Sequence, residues 1–487
     1  MSKKTYDLIV IGSGPAGFSC AMQASKFDKK VLLVEAHQQQ LGGAWINTGT
    51  VPSKALRDAA LNIHKFTQQF GDLGGKKAYD LFQMQDLLKF KNRVIDHENS
   101  ELKRNLIKNE IDTARGFGKL TDPNTVEVTD HLGKVKNYTG KNILISTGSS
   151  PKPPALFDVN QETILDLTSL MNLTHIPRRL VIVGTGINAI EYATIFNALG
   201  TKVNILNLND NFLSFLDEEI RNQFLSTLEE NRIGVKSNVI LKGISFNMLR
   251  NYTEVRFTMG KSDELMVIES EQVLYFGKRT PNTTKIGLEN VGIKTDKEGY
   301  IKVDEHYRTA VPSIYASGDV IGYPGLASAS FNQGRLACCA MFDIPASRVN
   351  ADVPFGIYSI PEISNIGLNE SEARAEGYEV TVGRAFYNSL TKAAINNTKA
   401  GLLKLVFETS TFKLLGVQIV GDDACEIIHL GQAVMANGGD IRYFINHILN
   451  YPTYSEAYRI AAFNGVNRVS KAGVKYRKLL MDNRITD

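Results

Sequence analysis

Cysteine is scarce in this chain. Its 487 residues include 4, Cys20, Cys338, Cys339 and Cys425, and none stands in a Cys-x-x-Cys pair. A zinc knuckle or a secreted disulfide framework needs more thiols at closer spacing, so both are excluded, and a reducing, intracellular setting is expected. Long apolar runs are missing too. No stretch approaches the ~20 residues of a membrane helix. The apolar start is interrupted by Asp7 and stops at Gly12, which reads as a first strand rather than a signal peptide. Nor is there an excess of one charge: 55 basic residues face 51 acidic ones, a net of +4. That balance is too even for binding nucleic acid or an anionic membrane. With 14 prolines and a 43% apolar share, the composition excludes disordered and collagenous chains. A soluble, cytoplasmic protein of roughly three domains is expected, at ~100–200 residues per domain.

What is present is a duplication. Residues 8–17 read Leu-Ile-Val-Ile-Gly-Ser-Gly-Pro-Ala-Gly, and residues 180–189 read Leu-Val-Ile-Val-Gly-Thr-Gly-Ile-Asn-Ala. Each copy opens with four apolar, mostly β-branched residues, as a strand buried on both faces does. Each then runs through G-x-G-x-x-G/A into a helix-forming stretch. The first glycine (Gly12, Gly184) permits the tight turn, and the second (Gly14, Gly186) lets backbone approach a pyrophosphate. The third small residue (Gly17, Ala189) lets helix lie against strand. A lone pattern of this kind is weak evidence, but here both copies have a second strand at the expected distance. Two dinucleotides are therefore expected on one chain.

The second strands differ at their ends. Glu35 stands 23 residues beyond Gly12 and suits a ribose hydroxyl, whereas Asn207 stands the same distance beyond Gly184. A carboxylate there would bond the adenosine ribose of NAD and repel the 2′-phosphate of NADP, and an arginine would favour NADP. Asn207 does neither. Two readings remain open: a loop residue, or a site with weak discrimination between NAD and NADP.

The rest of the chain arranges itself around these units. Residues 55–110 read as helix-rich and 111–146 as short strands, before a proline cluster at Pro151, Pro153 and Pro154 marks a crossover. Residues 267–276 and 301–318 read as returning strands. Beyond Val353, Gly401–Phe407 and Leu414–Val420 suggest an antiparallel sheet, with helices around 425–437 and 453–469. The expected fold is α/β: two Rossmann-like dinucleotide-binding domains plus a C-terminal α+β domain. The expected segments are 1–155, an inserted 156–276, a return at 277–350, and 351–487. No metal site is expected.

With these residues in hand, the chain resembles the two-dinucleotide flavoprotein family that includes lipoamide dehydrogenase, glutathione reductase and mercuric reductase. The resemblance runs from about Tyr6 to about Val469. Three further motifs carry it: Thr147-Gly148, Ser317-Gly318-Asp319 and Val51-Pro52-Ser53-Lys54. It implies FAD on the first unit, with Gly12, Gly14, Gly17, Glu35, Lys54, Thr147, Gly148, Asp319 and Ala327 as contacts. It implies NAD or NADP on the second, at Gly184, Gly186, Ala189 and Asn207, and a homodimer through the C-terminal domain or a higher homo-oligomer. Lys54 and Glu191 would pair near the flavin as the catalytic residues, the cation stabilising the electron density that arrives there.

The departures narrow the chemistry. The family's disulfide reductases carry two cysteines before Pro-Ser-Lys, where this chain has Trp45 and Thr50. Neither can form a thiolate, so thiol–disulfide exchange is excluded. The family's thiol base, a histidine before Pro-Thr, is replaced by Tyr451, although Glu456 survives. A phenol keeps its proton at neutral pH and shuttles it poorly. His447 is close in sequence but need not point into the same site.

One branch of the family, the soluble pyridine nucleotide transhydrogenases, is similar in these same places. Gly49–Arg57, Asn450–Thr453 with Glu456–Arg459, Gly318–Pro324 with Leu326–Ala329, Tyr358–Ser364 and Glu426–His429 all match its pattern. Three positions differ: Trp45, Lys278 before Arg279, and Asn209 where a basic residue is common. The resemblance implies hydride exchange between NADPH and NAD through FAD, in a ping-pong sequence over one nicotinamide pocket. Trp45, the only tryptophan, then reads as flavin-side packing, and Tyr451 and Glu456 as part of the dimer-side wall. The basic tail (Lys471, Lys475, Arg477, Lys478) reads as a solvated helix end. Two alternatives stay open: an NAD(P)H oxidase or diaphorase using oxygen or quinone, and a non-catalytic FAD-binding protein.

Overall fold

The structure, a computed structural model, describes residues 5–37, 40–70, 82–152, 154, 157, 159, 162–184, 186–346 and 353–471. Pro153 and the tail from residue 472 lie outside them. The chain forms two compact units. The first comprises Met1–Leu56, Asp86–Val159 and Gly277–Val349, and the second Arg57–Gln85, Asn160–Phe276 and Asn350–Asp487.

The first unit is built on the strand Thr5–Ile11, which pairs in parallel with Val31–Glu35 on one side and Val135–Ile145 on the other. Asp112–Arg115 extends the sheet beyond Val31–Glu35, and Ile314–Ala316 lies parallel to the end of Val135–Ile145. Phe117–Asp122, Thr125–Thr129 and the start of Val135–Ile145 form an antiparallel meander. The apolar run of the first strand is shared between two faces. Leu8 and Val10 face a core with Cys20, Ala21, Ala24, Ile95 and Leu102. Ile9 and Ile11 face another with Leu120, Val126 and Ile143. Burying one such aliphatic side chain contributes about 1.5–3 kcal/mol, so this strand anchors both layers. Two helices lie beside it, Pro15–Ser25 and Ala327–Met341. They approach closely because Gly334 has no side chain: a first carbon there would stand 2.0 Å from the Ala16 carbonyl oxygen.

In the second unit, Gly234–Lys236, Lys202–Leu206, Arg179–Val183, Gln272–Tyr275 and Ile164–Leu165 make a parallel sheet in that order. An antiparallel set, Val239–Asn247, Tyr252–Met259 and Met266–Ser270, closes one face. The expected strand 267–276 is thus two strands in two sheets. In the first unit, likewise, 301–318 contains the strand Ile314–Ala316 alone, because Asp304 bends the chain. Its carboxylate accepts from the His306 and Arg308 amides, and Tyr307 sits at φ 63°.

The C-terminal part of the second unit is an antiparallel sheet ordered Phe355–Ile357, Glu362–Gly367, Leu414–Gly421, Leu402–Glu408 and Val380–Phe386. Ala424–Ala436 and Glu456–Lys471 pack on it. Leu414–Gly421 is buried along its whole length.

Lys404, 2% exposed, carries a charge into this sheet and finds three acids: Asp217 Oδ2 at 2.9 Å, Glu370 Oε2 at 2.8 Å and Glu219 Oε2 at 3.7 Å. Asp217 also caps the helix Glu218–Glu230 by accepting from the Glu219 and Ile220 amides. The Arg384 guanidinium, bonded to both Glu219 oxygens, holds that carboxyl below the usual carboxylate range. A lowered folded-state pKa means stability present above the unfolded value and lost as pH falls through the folded one. Removing one partner of a buried ion pair strands the other, at about 3–5 kcal/mol. Lys404→Met is therefore expected to lower unfolding free energy by about that amount, read from the urea midpoint. A loss under about 1 kcal/mol, the scale of an exposed pair, would show that the cluster is solvated.

Candidate functional site

The first glycine turn joins the strand Thr5–Ile11 to the helix Pro15–Ser25. Gly12 adopts φ 103°, and a side chain there would meet the Ser146 carbonyl oxygen at 2.4 Å. Gly17 lies against the turn itself, where a first carbon would stand 2.0 Å from the Gly12 carbonyl oxygen. Gly14, by contrast, has open space where a side chain would begin, and it leaves the helix without a side-chain cap. Glu35 is held at this turn, accepting from the Ser13 amide and hydroxyl and from the His37 amide. The Ser13 hydroxyl also accepts from the Gly42 amide at 2.8 Å.

Thr147 and Gly148 lie just beyond Val135–Ile145. Gly148 has φ 71° and open space beside it. Asn282 braces the pair. Its Nδ2 donates to the Thr147 carbonyl at 2.9 Å, its amide donates to the Gly148 carbonyl at 2.9 Å, and its carbonyl accepts from the Thr147 hydroxyl at 2.8 Å. Asp319 opens a short 3-10 turn and accepts from Ser149 Oγ at 2.7 Å. Arg279 Nε donates to the same Ser149 oxygen and stands 3.9 Å from Asp319 Oδ2. Gly318 N–H donates to Gln333 Oε1, and a first carbon on Gly318 would stand 3.1 Å from Ala16 Cβ. Ala327 begins its helix without a side-chain cap.

The structure thus gathers Gly12, Gly14, Gly17 and Glu35 at one turn. It brings Gly318, beside Asp319, onto the helix that follows. Uncapped helix starts leave backbone N–H donors free to bind anions, and the partial positive charge there favours a phosphate. With Gly14 and Gly148 keeping space beside them, the residues present fit the pyrophosphate and ribose of FAD.

Trp45 lies on the helix Gly43–Asn47, beside the same turn: a first carbon on Gly43 would stand 3.3 Å from Gly14 Cα. Its ring meets Phe331 edge-on at 4.8 Å and Phe18 at 6.1 Å. Thr50 begins the helix Thr50–Phe70, which carries Lys54. The four cysteines are free and buried, and burial pushes the Cys20 thiol up, with the neighbouring Cys338 adding to the shift.

At the second turn, Gly184 adopts φ 158°, and a first carbon there would stand 2.9 Å from the Phe276 carbonyl oxygen. Phe276 also stacks on Tyr192 at 5.6 Å. Gly186, with open space beside it, precedes the uncapped helix Ile187–Ala198, where Ala189 is fully buried. Asn207 is 1% exposed. Its Nδ2 donates to the Asn209 carbonyl at 2.8 Å and to Ser237 Oγ at 3.1 Å, so its amide braces the following turn, whereas Glu35 braces its own glycine turn. Glu191 is buried at 2% and accepts from the Tyr358 amide at 2.9 Å. The Tyr358 hydroxyl is pushed up to about 12, chiefly by burial, with Cys425 and Glu362 adding to it.

Tyr451 is exposed and hydrogen-bonds Thr391 Oγ1 at 2.7 Å. His447 stacks on Tyr443 at 4.0 Å and shares a hydrogen bond with its carbonyl, and Glu456 starts the last helix. The bracing roles of Asn282, Ser13 and Tyr358 had no sequence signal, because each acts through contacts distant along the chain. Among the described residues, no group of three or more His, Cys, Asp or Glu is arranged to hold a metal, and no helix is long and apolar enough to cross a membrane.

The family model described as pyridine nucleotide-disulphide oxidoreductase matches residues 6–334, and its dimerisation domain matches 353–462. The soluble pyridine nucleotide transhydrogenase of Pseudomonas aeruginosa (strain LESB58) is 40% identical over 474 residues, covering 96% of this chain and 100% of its own. The protein of the same name from Pseudomonas putida (strain W619) has the same identity and coverage. Among solved structures, LpdA from Mycobacterium tuberculosis aligns with TM-score 0.85 at 23% identity, over 94% of this chain and 99% of its own. The HOCl-induced flavoprotein disulfide reductase RclA from Escherichia coli aligns with TM-score 0.84 at 24% identity, with the same coverage. These two likenesses are of fold.

The first turn generates a test. Glu35→Gln keeps the shape but removes a charge-assisted acceptor of about 1.5–3 kcal/mol. The variant is expected to hold FAD at least about tenfold more weakly, read from flavin retained on dilution. Unchanged retention would show that Glu35 serves the turn alone.

Proposed function

Because this chain belongs to the pyridine nucleotide-disulphide oxidoreductase family, we propose that it transfers hydride between NADPH and NAD by way of bound FAD, as a soluble transhydrogenase. One observation carries the reading: two glycine turns of the dinucleotide pattern are present, while the stretch from Gly43 to Lys54, where the family resemblance would put a dithiol, holds Trp45 and Thr50 and no cysteine. FAD, when bound, supplies a two-electron carrier that takes hydride from one nicotinamide and gives it to another. The chain's part is to bind, orient and stabilise. Gly12, Gly14 and Gly17 open a helix start to the pyrophosphate, and Glu35 offers an acceptor to a ribose hydroxyl. Thr147, Gly148, Asp319 and Ala327 line the remainder of that site. Gly184, Gly186 and Ala189 present the second helix start to NAD or NADP.

Lys54 and Glu191 are the proposed catalytic residues, a cation and the carboxylate that orients it. Asn207 leaves the second site without the carboxylate that would repel a 2′-phosphate, which suits an enzyme that must accept both nucleotides in turn. Segments 1–155 and 277–350 carry FAD in this reading, 156–276 the nicotinamide nucleotide, and 351–487 the homodimer contact. Four free, buried cysteines support a cytoplasmic location.

Anaerobic mixing of NADPH with an NAD analogue of distinct absorption is expected to reduce the analogue, with parallel double-reciprocal plots. Flavin reduction by NADPH without transfer to the analogue would mark a diaphorase instead. Asn207→Glu is expected to weaken NADPH use about tenfold more than NADH use, a like-charge effect. Equal effects on both would confine Asn207 to bracing its turn.

A further inference from the structure

The segment Tyr358–Glu362 ties together separate parts of the second unit. Tyr358 N–H donates to Glu191 Oε1 at 2.9 Å, and Ile360 N–H donates to Thr194 Oγ1 at 3.0 Å. Glu191 and Thr194 lie three residues apart on the helix Ile187–Ala198, hence on one face, and both are buried. The Thr194 hydroxyl bonds the Glu191 carbonyl at 3.0 Å and the Ile190 carbonyl at 3.2 Å. Its proton is engaged by its own helix, and its lone pair serves the Ile360 amide.

The segment is also held by Arg57. One guanidinium nitrogen pairs with Glu362 Oε1 at 2.8 Å and reaches the Ser359 carbonyl at 3.3 Å. Glu362 Oε2 accepts from the Cys425 amide at 2.9 Å. Burial pushes the Glu362 carboxyl up, against the pull of the Arg57 charge. Arg57 and Glu362 are both buried, where a pair must be well made to be tolerated. Arg57 also lies three residues beyond Lys54 on the helix Thr50–Phe70.

We propose that Tyr358–Glu362 is a positioning element that sets the Glu191 carboxylate, with Thr194 and Arg57 as its positioning residues. A carboxylate on a helix keeps rotamer freedom, and each orientation it loses on reaction costs entropy. Here a backbone amide fixes one oxygen directly. The Thr194–Ile360 bond one turn on prevents the segment from sliding along the helix, and Arg57 prevents it from lifting away. This inference rests on Glu191 being catalytic, and its test separates the two claims.

The test follows anaerobic flavin bleaching by NADPH in a stopped-flow instrument, with Glu191→Gln as reference. Thr194→Val removes the acceptor without changing the shape, and Thr194→Ser restores it. Thr194→Val is expected to lower the saturating bleaching rate about tenfold or more, with the half-saturating NADPH concentration changed less than about twofold. Thr194→Ser should return the rate. In flavin-free protein, amide exchange across 355–364 should quicken in Thr194→Val and stay slow in Thr194→Ser. Should Thr194→Val fail to fold, Arg57→Gln, which removes the nitrogen that bonds both Glu362 and the Ser359 carbonyl, is expected to give the same split. An unchanged rate in the folded variant, beside a slowed Glu191→Gln, would overturn the positioning role. So would equal losses of rate and NADPH binding. If Glu191→Gln bleaches at the unmodified rate, the catalytic reading of Glu191 is what fails.

Discussion

At the first glycine turn, backbone runs against backbone. A first side-chain carbon would meet a carbonyl oxygen at 2.4 Å on Gly12, at 2.0 Å on Gly17 and at 2.0 Å on Gly334. Those three approaches pull the turn onto Ser146, the helix Pro15–Ser25 onto its own turn, and the helix Ala327–Met341 onto Ala16. The rest of the first unit follows from them. Both helices begin without a side-chain cap, and Gly318, next to Asp319, reaches Ala16. Binding energy for a pyrophosphate comes from donors that are already oriented and cost no reorganisation. Here the ordering is done by packing, at positions where any larger residue would force the elements apart.

The second unit solves a different problem. Among its described residues, the buried cations Lys404 and Arg57 are paired with acids. Lys404 meets Asp217 and Glu370, and Arg57 meets Glu362. A buried charge left alone is far more costly than a hydrogen bond gained, so these groups constrain geometry more than they add stability. Glu191 belongs to the same pattern: a buried carboxylate bonded by a backbone amide from a segment itself held by an ion pair.

Much of this was legible in the amino-acid order, for identifiable reasons. A strand buried on both faces writes four apolar residues in a row, and a turn that excludes side chains writes glycine, so both dinucleotide turns stood out. Trp45 and Thr50 were legible as absences of sulfur. The expected helices near 425–437 and 453–469 appear as Ala424–Ala436 and Glu456–Lys471. What escaped depends on distance along the chain. Nothing local to Asn282 says that it braces Thr147-Gly148, and nothing local to Tyr358 says that its amide holds Glu191. Asn207 was legible by spacing, but its burial and its bonds to Asn209 and Ser237 are set by a loop that returns beside it. The run 301–318 has strand-like composition, yet Asp304 turns it through hydrogen bonds that alternation of apolar residues does not encode.

The account turns on electrons passing between nicotinamides through the flavin alone, with no dithiol to hold a second pair. An anaerobic titration of the purified holoenzyme with dithionite, followed by flavin absorbance, tests this most directly. Reduction complete after one pair of electrons per bound flavin, with no long-wavelength thiolate band on the way, is the predicted result. Uptake of a second pair, with such a band at the midpoint, would contradict the account by revealing a redox-active disulfide.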